Sequence, residues 1–289
     1  KALFAKTVLR MGVVATPRNI FPSNIQGLPT WYEVRVSEAG HLAARGDTCD
    51  IMVAMNPQTW DQDLASLEPG GYLFYDNTRH IPPNKFRDDI TVIGVPLTQM
   101  SNDAYENPRQ RQLFKNIIGL GALAALLDLD TKAIEGLFSE QFKGKEKLVS
   151  ANIQALTMGF DWVKTHLDNP VAIKVRAATS VGDRIFVDGN TAAALGAVYG
   201  GATVCAWYPI TPSSSLAEGF ASYCAKLRID KETGRNKFAI VQTEDELASI
   251  GMVIGAAWNG ARSFTATSGP GISLMQEFIG LASFAEIPA

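Results

Sequence analysis

Apolar positions along this chain follow two rhythms, and the rhythms take turns. "TWYEVRVS" (30–37) alternates like a strand with one solvated face. "DIMVAMN" (50–56), "YLFYD" (72–76) and "ITVIGVP" (90–96) are short apolar runs of the kind that fill more buried strands. "QTWDQDLASLEPGG" (58–71) predicts a short helix stopped by Pro and Gly. Longer patterns predict helices over 108–127, over 131–142 with Asp130 or Thr131 as cap, and over the Lys-rich stretch 145–167. "LDNPVAIKVRAATSVGDR" (167–184) breaks the pattern with Asn, Pro, Gly and mixed charge, and reads as a linker.

A second unit starts near Ile185. "NTAAALGAVYGGA" (190–202) predicts a small-residue helix with Asn190 as N-cap. Strands are expected over 203–207, 238–243 and 262–267, and helices over 213–228, 246–258 and 271–285. Strand–helix alternation in both halves predicts an α/β protein with two α/β domains and mostly parallel sheets. The length, 289 residues, suits two domains.

Composition narrows the function classes. The chain is 46% hydrophobic and 19% charged, which fits packed cores and excludes disorder. Net charge is −3 with scattered basic residues, so nothing draws nucleic acid or an anionic membrane. The longest strongly apolar run, Ile117 to Leu127, falls short of the ~20 residues of a membrane span. Cys49, Cys205 and Cys224 form no C-x-x-C pair, so cysteine alone holds neither an iron–sulfur cluster nor zinc. Their odd, sparse count, without a signal peptide, fits a reducing cytoplasm. His41, His80 and His166 are dispersed and read as structural or solvated. Both ends read as cut: "KALFAKTVLRMG" begins inside an amphipathic helix, and "ASFAEIPA" stops where a strand is expected.

In open α/β sheets ligands gather at the carboxyl ends of strands. The second half offers three such turns. In "AWYPITPSSSLAE" (206–218), Thr211 is a natural N-cap with Pro212 at the first helical position. That leaves Pro209 unexplained. It restricts Tyr208 as well as itself, and a turn so stiffened can also hold the Thr211 hydroxyl toward a ligand. In "VQTEDELASIGMVIGAAWNGA" (241–261), Thr243 and Glu246 match a capping box, and Glu244 and Asp245 read as exposed charges favoured by the helix dipole. The following helix is nearly free of charge and rich in Gly and Ala, at about 1 kcal/mol per interior Gly, which suits a closely approaching backbone or flat ligand. A glutamate heading so buried a helix sits in low dielectric. In "TATSGPGIS" (265–273), Gly269 and Gly271 permit unusual backbone angles and Pro270 stiffens the turn.

Together the three motifs resemble the alpha subunit of the 2-oxoacid:ferredoxin oxidoreductases, over roughly residues 185–289. The second and third motifs also resemble the pyrimidine-binding domain of thiamine diphosphate enzymes in general, and "YPITP" narrows the likeness to the ferredoxin-linked family. Residues 1–165 are similar to the family's gamma domain, best along "NIQGLPTWYEVRVSEAGHLAARGDTCDIMVAMN". The strand and glycine-rich loop that open that domain in the family are not among the 289 residues. The implied organisation is a gamma-like domain over 1–165, a linker over 166–184 and an alpha-type pyrimidine-binding domain over 185–289. Its order most resembles the 2-oxoglutarate-type members.

The resemblance implies roles. Glu246 aligns with the glutamate that contacts N1′ of the aminopyrimidine, favouring the tautomer whose nitrogen takes the thiazolium C2 proton. Tyr208, Pro209, Ile210, Thr267, Ser268 and Gly269 are implied cofactor-binding residues. Thr211, Pro212 and Ser213 are implied at the 2-oxoacid, with Thr211 catalytic. The implied reaction is oxidative decarboxylation: carbon dioxide leaves, electrons pass singly to an iron–sulfur cluster, and coenzyme A takes the acyl group. Mg²⁺ and a [4Fe-4S] cluster are expected in a partner beta subunit, ferredoxin as acceptor, and a dimer of alpha-beta heterodimers as the assembly. The arginine that pairs with the substrate carboxylate is implied just past Ala289. Lys143, Lys145 and Lys147 read as a solvated face or as contacts for coenzyme A phosphates. Two rivals remain open: a non-redox thiamine diphosphate decarboxylase or synthase, which lacks "YPITP", and a non-catalytic scaffold, against which an unpaired buried Glu246 is an unexplained cost.

Overall fold

Helix α1 (Ala2–Arg10) buries Ala5, Thr7 and Val8 and turns at Gly12, where φ is +75°. The computed structural model describes residues 2–20, 29–37 and 48–289. It divides the chain into two units, Lys1–Arg184 and Ile185–Ala289. After α1, strand β1 (Ala15–Ile20) pairs antiparallel with β2 (Trp31–Val36), Ala15 facing Val36. β2 is the alternating strand expected. β1 is not predicted by the pattern because Pro17 and Asn19 are disfavoured in strands, and both are tolerated here in a two-stranded ribbon.

The main sheet of this unit has the order β3 (Cys49–Ala54), β4 (Leu67–Asp76), β5 (Thr91–Val95), all parallel. The helix expected over 58–71 is shorter: a 3-10 turn at Pro57–Thr59 and α2 (Trp60–Ala65). β4 starts at Leu67 and runs through Pro69-Gly70-Gly71, the residues expected only to stop a helix. Arg87 makes this possible by donating to Leu64 O and Leu67 O at 2.7 and 2.8 Å, while Gly70 N donates to Asp89 O.

Helix α3 (Leu97–Ala104) was not anticipated, since "LTQMSNDA" carries too little apolar periodicity. Helices α4 (Pro108–Leu127), α5 (Thr131–Gln141) and α6 (Glu146–His166) fall at their expected places. Asn107 caps α4 and Asp130 caps α5 by accepting from backbone N–H groups. A Cβ on Gly121 would overlap Leu156 O, and one on Gly159 would overlap Ile118 O, so α4 and α6 cross backbone to backbone. The core between sheet and helices holds Phe74, Ile93, Val95, Ile118, Phe138 and Leu156. Residues 167–184, linker-like in composition, are hydrogen-bonded to this unit: Val175 N to Leu127 O, Ala178 N to Met11 O, and Ala172 N to the Tyr72 hydroxyl.

The second unit runs α7 (Gly189–Tyr199), β6 (Val204–Trp207), α8 (Ser214–Leu227), β7 (Ala239–Gln242), α9 (Glu246–Trp258), β8 (Ser263–Phe264), α10 (Gly269–Leu274), α11 (Gln276–Phe284). Its parallel sheet has the order β7-β6-β8. Successive β6 residues face opposite layers. Cys205 packs with Ala194, Phe220 and Cys224 of α7 and α8, and Ala206 packs with Ile250, Val253 and Ile254 of α9. β8 is shorter than the strand expected over 262–267. The helix expected over 271–285 is two helices meeting at buried Met275. The α/β class with mostly parallel sheets holds. Among the described residues, no helix is long and apolar enough to cross a membrane.

Candidate functional site

Because β6, β7 and β8 are parallel, their carboxyl ends open on one edge of the sheet. The three turns singled out in the sequence follow these ends.

In the first turn the carbonyls are taken up by side chains. Ile210 O accepts from Ser214 N at 3.0 Å, from Ser213 Oγ at 3.0 Å and from Ser214 Oγ at 3.2 Å. Pro212 O accepts from Asn190 Nδ2 at 2.8 Å and from Ser215 Oγ at 3.3 Å. The three serines therefore close the turn on itself. The Thr211–Pro212 peptide is cis. Thr211 is not the N-cap and Pro212 is not the first helical residue: α8 begins at Ser214, with Ser213 at its cap making no side-chain cap bond. The closed turn at 210–213 displaces the helix start. Tyr208, Pro209, Thr211 and Pro212 are exposed, Ile210 is half-buried and Ser213 is buried. Thr211 makes no side-chain hydrogen bond among the described residues, so its hydroxyl is free of structural duty. Asn190 is likewise not the cap of α7. Asp188 is, accepting from Thr191 N at 2.9 Å and Thr191 Oγ1 at 2.6 Å, bonds that hold the Asp188 carboxyl below the usual range.

The second turn contains no capping box. α9 starts at Glu246, and its N-cap is Asp245, which accepts from Ala248 N at 2.7 Å. Asp245 is thus exposed, as expected, and is also the working cap. Thr243 bonds elsewhere: its N–H donates to Trp207 O at 2.9 Å, and its hydroxyl sits 2.5 Å from Ser249 Oγ. The helix begins too late for Glu246 to reach back to Thr243. The half-buried Glu246 carboxylate makes no hydrogen bond or ion pair among the described residues. α9 is not buried all round, as expected from its composition: Ile250, Val253 and Ile254 face the sheet, while Met252, Gly255 and Trp258 are exposed.

The third turn meets the second. A Cβ on Gly271 would overlap Thr267 Oγ1 and lie 3.1 Å from Glu246 Cγ. Gly271 is there for close approach, and neither it nor Gly269 has the positive φ expected of them. Ser268, half-buried and extended, precedes α10, and Gly269 is exposed at its first position. The hydroxyls of Thr265 and Thr267 are buried and have no hydrogen-bond partner among the described residues. A buried polar atom left unsatisfied costs on the order of 1–3 kcal/mol. Glu246, Thr267 and Gly271 therefore form one place with unspent hydrogen-bonding capacity. The sequence pattern singled out neither Thr265 nor the duties that Asn190 and Gly271 perform here. The T-x-T spacing was the one available signal, since residues two apart in an extended segment share a face.

The strand ends of the first unit are built differently. Asp76, last in β4, accepts from Thr78 N at 3.2 Å, from Thr78 Oγ1 at 2.6 Å, and from the backbone and hydroxyl of Thr98. Lys115 Nζ lies 3.6 Å away. Burial works against the Asp76 charge, but these hydrogen bonds outweigh it and hold the carboxyl below its ordinary value.

Elsewhere the chemistry is quiet. Burial pushes the Cys205 thiol up to about 12 and, with Asp50 nearby, Cys49 to about 11, so neither is a nucleophile at neutral pH. His80 is exposed, His166 stacks on Trp162 with centroids 4.7 Å apart, and His41 lies outside the described residues. Lys143, Lys145 and Lys147 are exposed. Among the described residues, no group of three or more His, Cys, Asp or Glu is placed to hold a metal ion.

Both units resemble known proteins. Residues 1–162 match the family described as pyruvate ferredoxin/flavodoxin oxidoreductase. Residues 195–289 match the thiamine diphosphate-binding family of pyruvate flavodoxin/ferredoxin oxidoreductase. The chain is 31% identical over 327 residues to 2-oxoacid:ferredoxin oxidoreductase 2, subunit alpha, of Aeropyrum pernix, covering 98% of this chain and 50% of that protein. It is 28% identical over 282 residues to the 2-oxoglutarate oxidoreductase subunit KorA of Mycobacterium tuberculosis, covering 89% of this chain and 41% of that one. A solved 2-oxoglutarate:ferredoxin oxidoreductase from Magnetococcus marinus, with 2-oxoglutarate, coenzyme A and succinyl-CoA bound, superposes with a TM-score of 0.82 at 30% identity. It covers 99% of this chain and 48% of that one. The chain thus spans about half the length of these relatives.

Proposed function

The chain belongs to the pyruvate ferredoxin/flavodoxin oxidoreductase family, whose relatives include 2-oxoacid:ferredoxin oxidoreductases, and from that premise we propose that its second unit holds the aminopyrimidine end of thiamine diphosphate. The observation that carries this is the meeting of a carboxylate without a partner among the described residues, Glu246, with a buried unpaired hydroxyl, Thr267, across Gly271, whose missing side chain lets the two approach. Hydrogen-bonding groups on a flat heteroaromatic ring would satisfy both, so the residues present fit the cofactor. Bound thiamine diphosphate supplies the nucleophilic carbon and the electron sink for loss of carbon dioxide from a 2-oxoacid.

This chain's share of the work is positioning and proton control. Glu246, free of capping duty, shares a proton with ring nitrogen N1′. Thr267, Ser268 and Gly269 form one wall, and the stiff turn Tyr208-Pro209-Ile210 forms another. Thr211 presents its unspent hydroxyl to the oxoacid, flanked by Pro212 and by Ser213, which closes the turn. Met252, Trp258, Ile272, Leu274 and Phe284, exposed on α9, α10 and α11, offer apolar surface to a beta subunit. That subunit carries the diphosphate–Mg²⁺ site and the [4Fe-4S] cluster. The whole enzyme, a cytoplasmic dimer of alpha-beta heterodimers, converts 2-oxoglutarate and coenzyme A to succinyl-CoA, carbon dioxide and reduced ferredoxin.

The test is ferredoxin reduction by the assembled enzyme with coenzyme A and either pyruvate, 2-oxoglutarate or a branched 2-oxoacid. Fastest reduction with 2-oxoglutarate is expected. Decarboxylation without ferredoxin reduction would shift the reading to a non-redox thiamine diphosphate enzyme, and no turnover of any 2-oxoacid would sink it.

A further inference from the structure

We infer that Asn190 is a positioning residue for Thr211, an inference that rests on reading the 208–213 turn as the substrate's side of the site. That turn has an unusual difficulty. Pro209 and Pro212 have no N–H, so the segment that must be held rigid lacks two of its own backbone donors. Side chains replace them. Before Thr211, the Ile210 carbonyl is held from within the turn by Ser213 and Ser214. After Thr211, the Pro212 carbonyl is held from outside, by Asn190 Nδ2 at 2.8 Å, and the same nitrogen donates to Ser215 Oγ at 2.8 Å. A carbonyl oxygen can only accept, so the amide must present its NH₂ group here. Both bonds spend the two N–H donors of one amide on the segment that follows Thr211.

Asn190 is free to do this because the start of α7 is satisfied without it, through Asp188 and Thr191. α7 is in turn a firm reference point. Ala194 and Val198 are buried against α8, and a Cβ on Gly219 would lie 3.2 Å from the Ala194 methyl. Thr211 is thus registered to the α7–α8 layer through Asn190, while the serines set only the local shape. Asn190 is placed to act through the turn and not on the oxoacid itself.

The two duties, turn and cap, respond oppositely to substitution. In the assembled enzyme, Asn190→Asp keeps the side-chain shape and would serve as well at a helix cap, but has no donor and sets a carboxylate against the Pro212 carbonyl. It should lower kcat/KM for the oxoacid roughly ten- to a hundredfold with thiamine diphosphate affinity unchanged. Asp188→Ala should do the reverse, lowering Tm while leaving kcat/KM near its native value. In a Thr211→Val background, which has already lost the hydroxyl, adding Asn190→Ala should cost less than about threefold more, since contacting residues couple. Three results overturn the inference: native kcat/KM in Asn190→Asp, equal losses from Asn190→Ala with and without Thr211→Val, or failure of the Asn190 variants to fold while Asp188→Ala is stable. An inactive unmutated complex would instead sink the oxidoreductase reading, and it is measured first.

Discussion

Both units end parallel strands in threonines and a carboxylate, yet the two edges are chemically opposite. In the first unit Asp76 accepts from Thr78 and Thr98 and faces Lys115, so every polar side chain of that cluster has a partner. In the second, Glu246 has none among the described residues, the Thr265 and Thr267 hydroxyls are buried and unpaired, and Thr211 stands free. Similar residue types at similar places therefore do not make similar sites. A closed network stabilises the chain that contains it. An open one costs stability until something else closes it.

That contrast can be broken most forcefully at Glu246. Glu246→Gln should lower turnover of the assembled enzyme by roughly 10²–10⁴-fold, the usual worth of a group managing a proton. Its Tm should hardly move, because Glu246 caps nothing. A Glu246→Gln enzyme that unfolds early, with turnover per folded molecule intact, would make the second edge as structural as the first.

A smaller effect sharpens the comparison at Thr267. Thr267→Val removes a buried hydroxyl that has no partner and keeps the shape, so the isolated chain should become more stable or stay unchanged. Thiamine diphosphate affinity in the assembled enzyme, read by calorimetry, should fall about five- to a hundredfold, matching ~1–3 kcal/mol for one lost hydrogen-bond donor. Gly271→Ala, which drives a methyl into Thr267 and toward Glu246, should weaken the cofactor at least as much. A valine variant that loses stability would mean the hydroxyl already has a partner.

At the closed edge stability alone should change. The Asp76 carboxyl is held low, so its contribution is fully present above the ordinary carboxylate pKa of about 4 and is lost as pH falls through the folded value. Asp76→Asn should therefore cost ~1–3 kcal/mol in urea unfolding at pH 6, with the difference from the native chain shrinking toward pH 3. Cofactor affinity should be untouched. An equal deficit at both pH values would show that packing, not charge, is what Asn fails to replace.

Much of the architecture was legible because it depends on residues near one another in the chain. The limits of α4 follow from Asn107-Pro108 at one end and the close of an apolar run at the other. The caps of the second unit were misread for the opposite reason. Thr211, Thr243 and Asn190 are all good caps by type, but each competes with a neighbour, and the winner depends on where the strand releases the chain. Ser213, Asp245 and Asp188 hold those positions instead. The displaced residues became the parts of interest: Thr211 unspent, Thr243 joined to Ser249, and Asn190 bonded across to another element.

The α/β alternation, the two units, and the three turns that carry Glu246, Thr267 and Thr211 are readable from the residues alone. These follow from periodicity and from Pro, Gly and capping residues, whose preferences act over a few positions. That Glu246 is released from capping, that Gly271 brings it against Thr267, and that Asn190 holds the far side of the Thr211 turn emerges only in the folded chain. The last two need residues 20 to 25 positions apart to meet, and the first goes with Thr243 bonding to Trp207, 36 positions away. That meeting is produced by the β7-β6-β8 order and by packing on both faces of its sheet, which no local preference encodes.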